Sequence, residues 1–299
     1  EVMGAEKKKE NLKDIFSVFR DFRNYLGEAY LQFGKPINLN DLLKEYPLSD
    51  YSSEKDWLFK VTPVLGKKIM TNINDSTVVT STALFSLAIL SSDGFSISKR
   101  ELVSRIELLK SLLEEDKYSP KTLVCEKTGE EIINQMRKLG FLSKEDINDR
   151  ISLTNLEAAK LSFYRNNISH LLIFESLICG FFQYQKEIVK EDLLQSIKMI
   201  YPFLKEEFFL KWDEADLDQL INSKLNKLIN RNLILEDSNV FKRPDFKSKE
   251  FYETQSLGKL VQPSIDRFYV LISQLWKNSA EHISKNELER NSLEILKNL

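Results

Sequence analysis

Histidine and cysteine are both scarce here: the 299 residues contain two of each, His170 and His282, Cys125 and Cys179. The cysteines stand 54 positions apart with no Cys-x-x-Cys pair and no histidine near either, so neither a metal site nor a disulfide framework follows from them; they read as reduced small hydrophobes. No Ser/His/Asp or Cys/His constellation can be assembled from so few, and no metal or cofactor site is expected. Charge of one sign is also lacking. Lys and Arg number 43 against 45 Asp and Glu, a formal net charge of −2, so no basic excess draws the chain to nucleic acid or anionic lipid. Long apolar runs are missing as well. The longest uncharged stretch, Ser76 to Ser92, is 17 residues rich in Ser and Thr, short of the roughly 20 apolar residues that cross a bilayer; it and Ile168 to Phe182 read as buried core helices. The remaining 42% hydrophobic and 29% charged residues describe a folded chain with room for about two domains.

Both histidines have a glutamate five positions on, His170 with Glu175 and His282 with Glu287. Five helical positions rotate by about 140°, which turns the two side chains to different faces and denies His170 an orienting acid. HISKNEL, from His282, reads as a loop entering a helix capped by Ser284.

The stretch Leu153 to Phe182, LTNLEAAKLSFYRNNISHLLIFESLICGFF, is the strongest lead. Its apolar pattern predicts one helix from Leu156 to Tyr184, interrupted by Tyr164, Arg165, Asn166, Asn167 and His170. Polar groups buried without partners cost on the order of 1–3 kcal/mol each, so this cluster is expected either to form an internal network that fixes helix packing or to brace or contact a neighbouring functional domain. Lys7-Lys8-Lys9 reads as a solvated charge run that could also meet acidic head groups. Tyr201, Phe203, Phe208, Phe209 and Trp212 read as core rather than as a ligand platform.

An internal repeat organises the rest. Ile97 to Leu102, Ile188 to Leu193 and Ile283 to Leu288 share a β-branched residue, a short polar step, then an acid and Leu opening a helix, where the acid suits the helix dipole. After the first copy come a helix to about Leu113, a second from Gly129 to Leu139, and a hairpin in which Phe141-Leu142 would face Ile151 to Leu153. After the second come helices ending near Arg231 and a hairpin around Asp237-Ser238-Asn239. Helices closed by a hairpin predict two winged-helix-like units. If these bound DNA, Arg137 and Lys138 or Lys224, Lys227 and Arg231 should face phosphates, yet both helices are nearly charge-balanced, so no nucleic-acid partner is expected. Ala29 to Phe33 reads as a strand before the Gly34-Lys35-Pro36 turn, Pro63, Pro120, Pro202, Pro244 and Pro263 read as breaks, and Asp237 to Ser256 beyond its hairpin reads as a long loop.

Tyr164-Arg165-Asn166-Asn167 followed by Ile168-Ser169-His170-Leu171 resembles the C-terminal region of the membrane-bound glycerol-3-phosphate acyltransferases. So do Glu1 to Leu12, Leu31 to Leu39, Val61 to Asn74 and Ile200 to Trp212, in the same order, over residues 1 to about 235. The resemblance implies an enzyme that moves an acyl chain from acyl-CoA or acyl-carrier protein to glycerol 3-phosphate, with no cofactor, at the cytoplasmic face of the cell membrane as a peripheral or monotopic protein. That family's catalytic His and Asp, four residues apart, lie upstream of the part that resembles Glu1, and the chain does not open on Met. The expectation is therefore a C-terminal piece of a longer enzyme, with no catalytic residue of its own. Its fold is expected to be mainly α: residues 1–46 the tail of an α/β acyltransferase domain, 47–56 a linker, 57–155 and 156–243 the two winged-helix-like units, and 244–299 a loop and C-terminal helices. The rival reading is a non-catalytic tandem winged-helix scaffold that binds protein or nucleic acid.

Overall fold

Short polar residues placed just ahead of apolar runs start most of the helices, as their chemistry dictates. The computed structural model describes residues 27–142, 149–277 and 284–296. Side-chain oxygens of Ser53, Thr80, Ser98 and Ser248 accept from backbone N–H groups two or three residues into the following helix, and Thr128 and Thr154 form reciprocal capping boxes with Glu131 and Glu157. The predicted cap at Ser284 also forms, with its hydroxyl accepting from Glu287 N at 3.3 Å.

The protein is mainly helical. After α1 (Leu39–Glu45) and the long α2 (Glu54–Asp75) comes a first unit: α3 (Ser81–Leu90), β2 (Ser96–Ser98), α4 (Lys99–Glu115), α5 (Gly129–Lys138) and β4 (Arg150–Ser152), with a two-residue parallel pair of β1 (Val78–Val79) and β3 (Leu123–Val124) at its side. Helix α6 (Asn155–Asn166) packs on α3. A second unit follows in the same order: α7 (Ile173–Phe181), β5 (Glu187–Val189), α8 (Lys190–Phe208), α9 (Leu217–Asn230), β6 (Leu235–Asp237) and β7 (Val240–Lys242). Helices α10 (Lys249–Gly258), α11 (Gln262–Lys277) and α12 (Lys285–Leu296) complete the described chain.

The two units match in detail. In each, the strand that precedes the second helix pairs antiparallel with the strand that ends the unit, Ile97 opposite Ile151 and Ile188 opposite Phe241. Each third helix ends in the same way. Gly140 (φ 76°) and Asn232 (φ 57°) take the left-handed conformation, and the next N–H reaches back five residues, Phe141 to Met136 O at 3.0 Å and Leu233 to Leu228 O at 2.9 Å, the Schellman closure. One continuous apolar core runs from Val79 to Val261 through both units, with α3 buried along nearly its whole length.

Several expectations are corrected. Residues 27–38 form no strand: Leu31 and Phe33 are exposed, and the segment is held by contacts such as Asn72 Nδ2 to Lys35 O, 2.9 Å, rather than by a neighbouring strand. Phe141-Leu142 is the C-terminal closure of α5, and the strand at Arg150–Ser152 pairs with Ser96–Ser98 instead. Pro63 and Pro202 sit inside α2 and α8, and Pro263 lies in the first turn of α11; surrounding packing outweighs the roughly 3 kcal/mol a helix-interior proline costs. The stretch expected as a loop up to Ser256 contains α10, whereas the Asp237-Ser238-Asn239 hairpin forms as predicted. Lys7-Lys8-Lys9, the Glu1 to Leu12 stretch, His282 and Ile283 lie outside the described residues.

Candidate functional site

The helix predicted from Leu156 to Tyr184 is broken. Helix α6 stops at Asn166, Ile168 leaves the helical region (φ −123°, ψ −2°), and a short 3-10 turn, Ser169–Leu172, leads into α7. The break scatters the polar cluster. Asn166 and Asn167 are exposed, and Tyr164 and Arg165 are half-buried, so the premise of a wholly buried cluster does not hold. Tyr164 and Asn167 line one cleft with Gly27, Glu28 and Tyr30, while Arg165 and Asn166 line another with Glu207 and Arg267. Only His170 enters the core, at 3% exposure.

His170 packs edge-on against Tyr118, with ring centres 5.0 Å apart, and its Nε2 lies 3.3 Å from Thr77 Oγ1. That hydroxyl donates to Asn74 O at 2.8 Å, which leaves it to accept from Nε2–H. Burial pushes the imidazole down to about 4, against the opposing influence of the Asn74 backbone and Asp75, so the ring is neutral at neutral pH. Around it, Lys211 sits 4.2 Å from the Tyr118 ring centre and bonds Asp75 Oδ1 at 2.8 Å, and Tyr201 donates to Trp212 O at 2.7 Å. Of the aromatic set expected in the core, Tyr201 is buried and Phe203 is exposed.

Glu175, in α7 and not in the 3-10 turn that carries His170, has a different partner. Its Oε1 accepts from Lys224 Nζ at 2.7 Å, with the two side chains 5% and 6% exposed. Lys224 also meets Asp116 Oδ2 at 2.8 Å, and Lys227 meets the same oxygen at 2.7 Å. One turn on, Arg231 bonds Glu115 through Nε at 2.9 Å and Ser111 through Nη1 at 2.8 Å. Burial disfavours the charge on Lys224, but Glu175 and Asp116 together raise its ammonium above the ordinary lysine range. Burial likewise works against the Asp116 carboxylate, and hydrogen bonds from Lys224 and Lys227 hold it below its usual value. Lys224 and Lys227 of α9 and Arg231 just past its end thus join the end of α4 to the second unit. Residue types alone could not reveal this network, because its partners are up to 120 positions apart.

Among the described residues, no group of three or more His, Cys, Asp or Glu is placed to hold a metal ion, and no acid stands against His170 in the manner of a catalytic base and its orienter. The class of protein so defined is a mainly helical region built from two units of one topology and locked by a buried ion network. The whole of it, residues 1–299, matches the family described as the glycerol-3-phosphate acyltransferase C-terminal region. The chain belongs to that family. It is 29% identical over 297 residues to the glycerol-3-phosphate acyltransferase of Pseudomonas putida (strain GB-1), 97% of this chain and 36% of that protein. It is similarly 29% identical over 299 residues to that of Pseudomonas fluorescens (strain SBW25), covering 97% and 35%, and 28% identical over 298 residues to that of Pseudomonas aeruginosa (strain LESB58), covering 97% and 36%. The chain therefore spans about a third of the length of the curated relatives it matches.

Proposed function

We propose that this chain is the C-terminal part of a glycerol-3-phosphate 1-O-acyltransferase, and that the observation carrying this is the match of all 299 residues to the family's C-terminal region. In the whole enzyme an upstream His takes the proton of the first hydroxyl of glycerol 3-phosphate as general base. The oxygen attacks the thioester of acyl-CoA or acyl-carrier protein, the acyl–sulfur bond breaks, and the proton passes to the departing thiolate. The acylated glycerol phosphate then enters phospholipid (CDP-diacylglycerol) synthesis. Residues of this chain perform none of these steps; they brace the catalytic domain.

In this reading residues 1–46 are the tail of the catalytic domain, 47–56 a linker, 57–155 and 156–243 two winged-helix-like units, and 244–299 a C-terminal extension. The repeated helix–strand–helix–helix–strand order supports the winged-helix likeness. A DNA-binding role is disfavoured, because Lys224, Lys227 and Arg231, which such a fold would aim at phosphates, are spent on Glu175, Asp116 and Glu115. No described helix is long and apolar enough to cross a membrane. Leu58, Phe59, Ile69, Met70 and Ile73, exposed along α2, favour a peripheral or monotopic attachment, and the family resemblance implies the cytoplasmic face. Tyr164, Arg165, Asn166, Asn167 and His170 act as bracing and positioning residues. The test is turnover of glycerol 3-phosphate and acyl-CoA by the 299-residue chain alone: none is expected above a heat-killed control, and measurable product would sink this division of labour.

A further inference from the structure

Two arginines from distant parts of the chain meet in a pocket of about 180 Å³. Arg165 and Asn166 come from the last turn of α6, Glu207 and Phe208 from the end of α8, and Ser264 and Arg267 from the start of α11, over an apolar floor that includes Val261. Like charges so close repel, and the pocket holds a single carboxylate to offset them. Glu207 is committed to Arg267, with which it is hydrogen-bonded, and to the Ser264 hydroxyl at 2.9 Å. Arg165 receives no such partner. Its Nε and Nη2 rest on the neutral amide oxygen of Asn166, at 3.2 and 3.1 Å, and no carboxylate among the described residues bonds it. Burial, and then the charge of Arg267, hold its guanidinium below the ordinary arginine value, the mark of a cation that is partly desolvated and uncompensated.

We propose that the Arg165–Arg267 pocket binds a phosphate monoester. Guanidinium forks match phosphate oxygens in pairs. The carboxylate position beside Arg267 is already filled by Glu207, so an incoming group must reach both forks from the open side, which suits three terminal oxygens better than two. The volume is below the roughly 300–1,000 Å³ of pockets that engulf a whole small molecule, so the phosphate enters and the rest of the ligand stays outside. Two sources share this chemistry, a phosphate free in solution and a lipid head group. Beyond Arg267, α11 exposes Leu271 and Leu275, four and eight positions on and so nearest its face. At about 1.5 Å per residue the farther lies about 12 Å along the helix, an apolar path that a lipid could use and a free phosphate would not.

The test needs no turnover, so it stands or falls apart from the acyltransferase reading. Inorganic phosphate is titrated into the 299-residue chain at fixed ionic strength and followed by phosphorus NMR line width. In parallel the chain is floated with phosphatidylcholine vesicles with and without phosphatidate. Saturable binding of phosphate assigns the free form, and capture only by phosphatidate vesicles assigns the head group. In either arm Arg165→Ala should weaken binding by about tenfold or more, with Arg165→Lys between it and the parent. Glu207→Gln should tighten binding several-fold, since it removes the competing negative charge, a gain that mere loosening of the fold would not produce. No binding in either arm, equal binding by Arg165→Ala, or weaker binding by Glu207→Gln would overturn the proposal.

Discussion

Replacing Lys224 by Met keeps the length of the side chain and deletes its charge. Asp116 would lose one cation but keep Lys227 at 2.7 Å, and its side chain is 30% exposed, so water shares in compensating it. Glu175 has no such reserve. It is 5% exposed, Lys224 is the partner of its Oε1, and its Oε2 already lacks a hydrogen bond. Removing one member of a buried pair costs about 3–5 kcal/mol, chiefly the penalty of the charge left behind, against a total stability of roughly 5–15 kcal/mol. Lys224→Met should therefore lose about 3–5 kcal/mol in urea unfolding followed by circular dichroism. Glu175→Leu combined with Lys224→Met removes both charges and should return to within about 1 kcal/mol of the parent. A single substitution costing less than about 1 kcal/mol, or a double variant as unstable as the single, would refute the claim that Glu175 depends on Lys224.

Three further outcomes follow from the same structure. His170 has its folded value depressed to about 4 from an unfolded value near 6.5, so the unfolded chain takes up the proton first, and the stability present above pH 6.5 is lost as pH falls towards 4. The loss, on the order of 3 kcal/mol, should appear as a falling melting temperature across that window in the parent and be absent in His170→Asn, whatever that variant's stability at pH 7; equal slopes would contradict a neutral buried imidazole. Gly140→Ala should destabilise by about 1 kcal/mol, because its φ is positive while nothing lies within 4 Å of an added Cβ, which makes the cost one of backbone alone. Asn232→Gly, at the matching position of the second unit, should be neutral or slightly stabilising, and both are read by the same urea titration.

What the sequence disclosed was local. The cap at Ser284, the helix opening at Gly129, and the turn at Asp237 to Asn239 are each written within a few residues, and each is found in the structure. The paired isoleucine motifs exposed the repeat for the same reason. The break at Ile168 carries no glycine or proline to announce it, and it alone redistributed the polar cluster that the helical pattern had placed on one rod. Prolines misled in the opposite direction at positions 63 and 202, where packing outweighed a missing donor. Phe141-Leu142 was mistaken for a strand because two apolar residues after Gly140 serve a helix closure as readily as a hairpin. Arg165 and Arg267 could not have been joined from the sequence, since only the tertiary fold brings them to one pocket.

The ion network also bears on how the chain is made. Glu115 and Asp116 leave the ribosome before Glu175, and all three precede Lys224, Lys227 and Arg231. Until α9 has emerged, Asp116 at the end of α4 lacks its Lys224 and Lys227 partners, and Glu175 would have to enter an apolar core as an unpaired charge. Synthesis therefore imposes an order: the nascent first unit can gather its helices, but its junction with α7 closes only after the last turn of α9 has been translated. A chain stopped before that point would hold Glu175 without its Lys224 partner, which makes α9 the element that completes assembly.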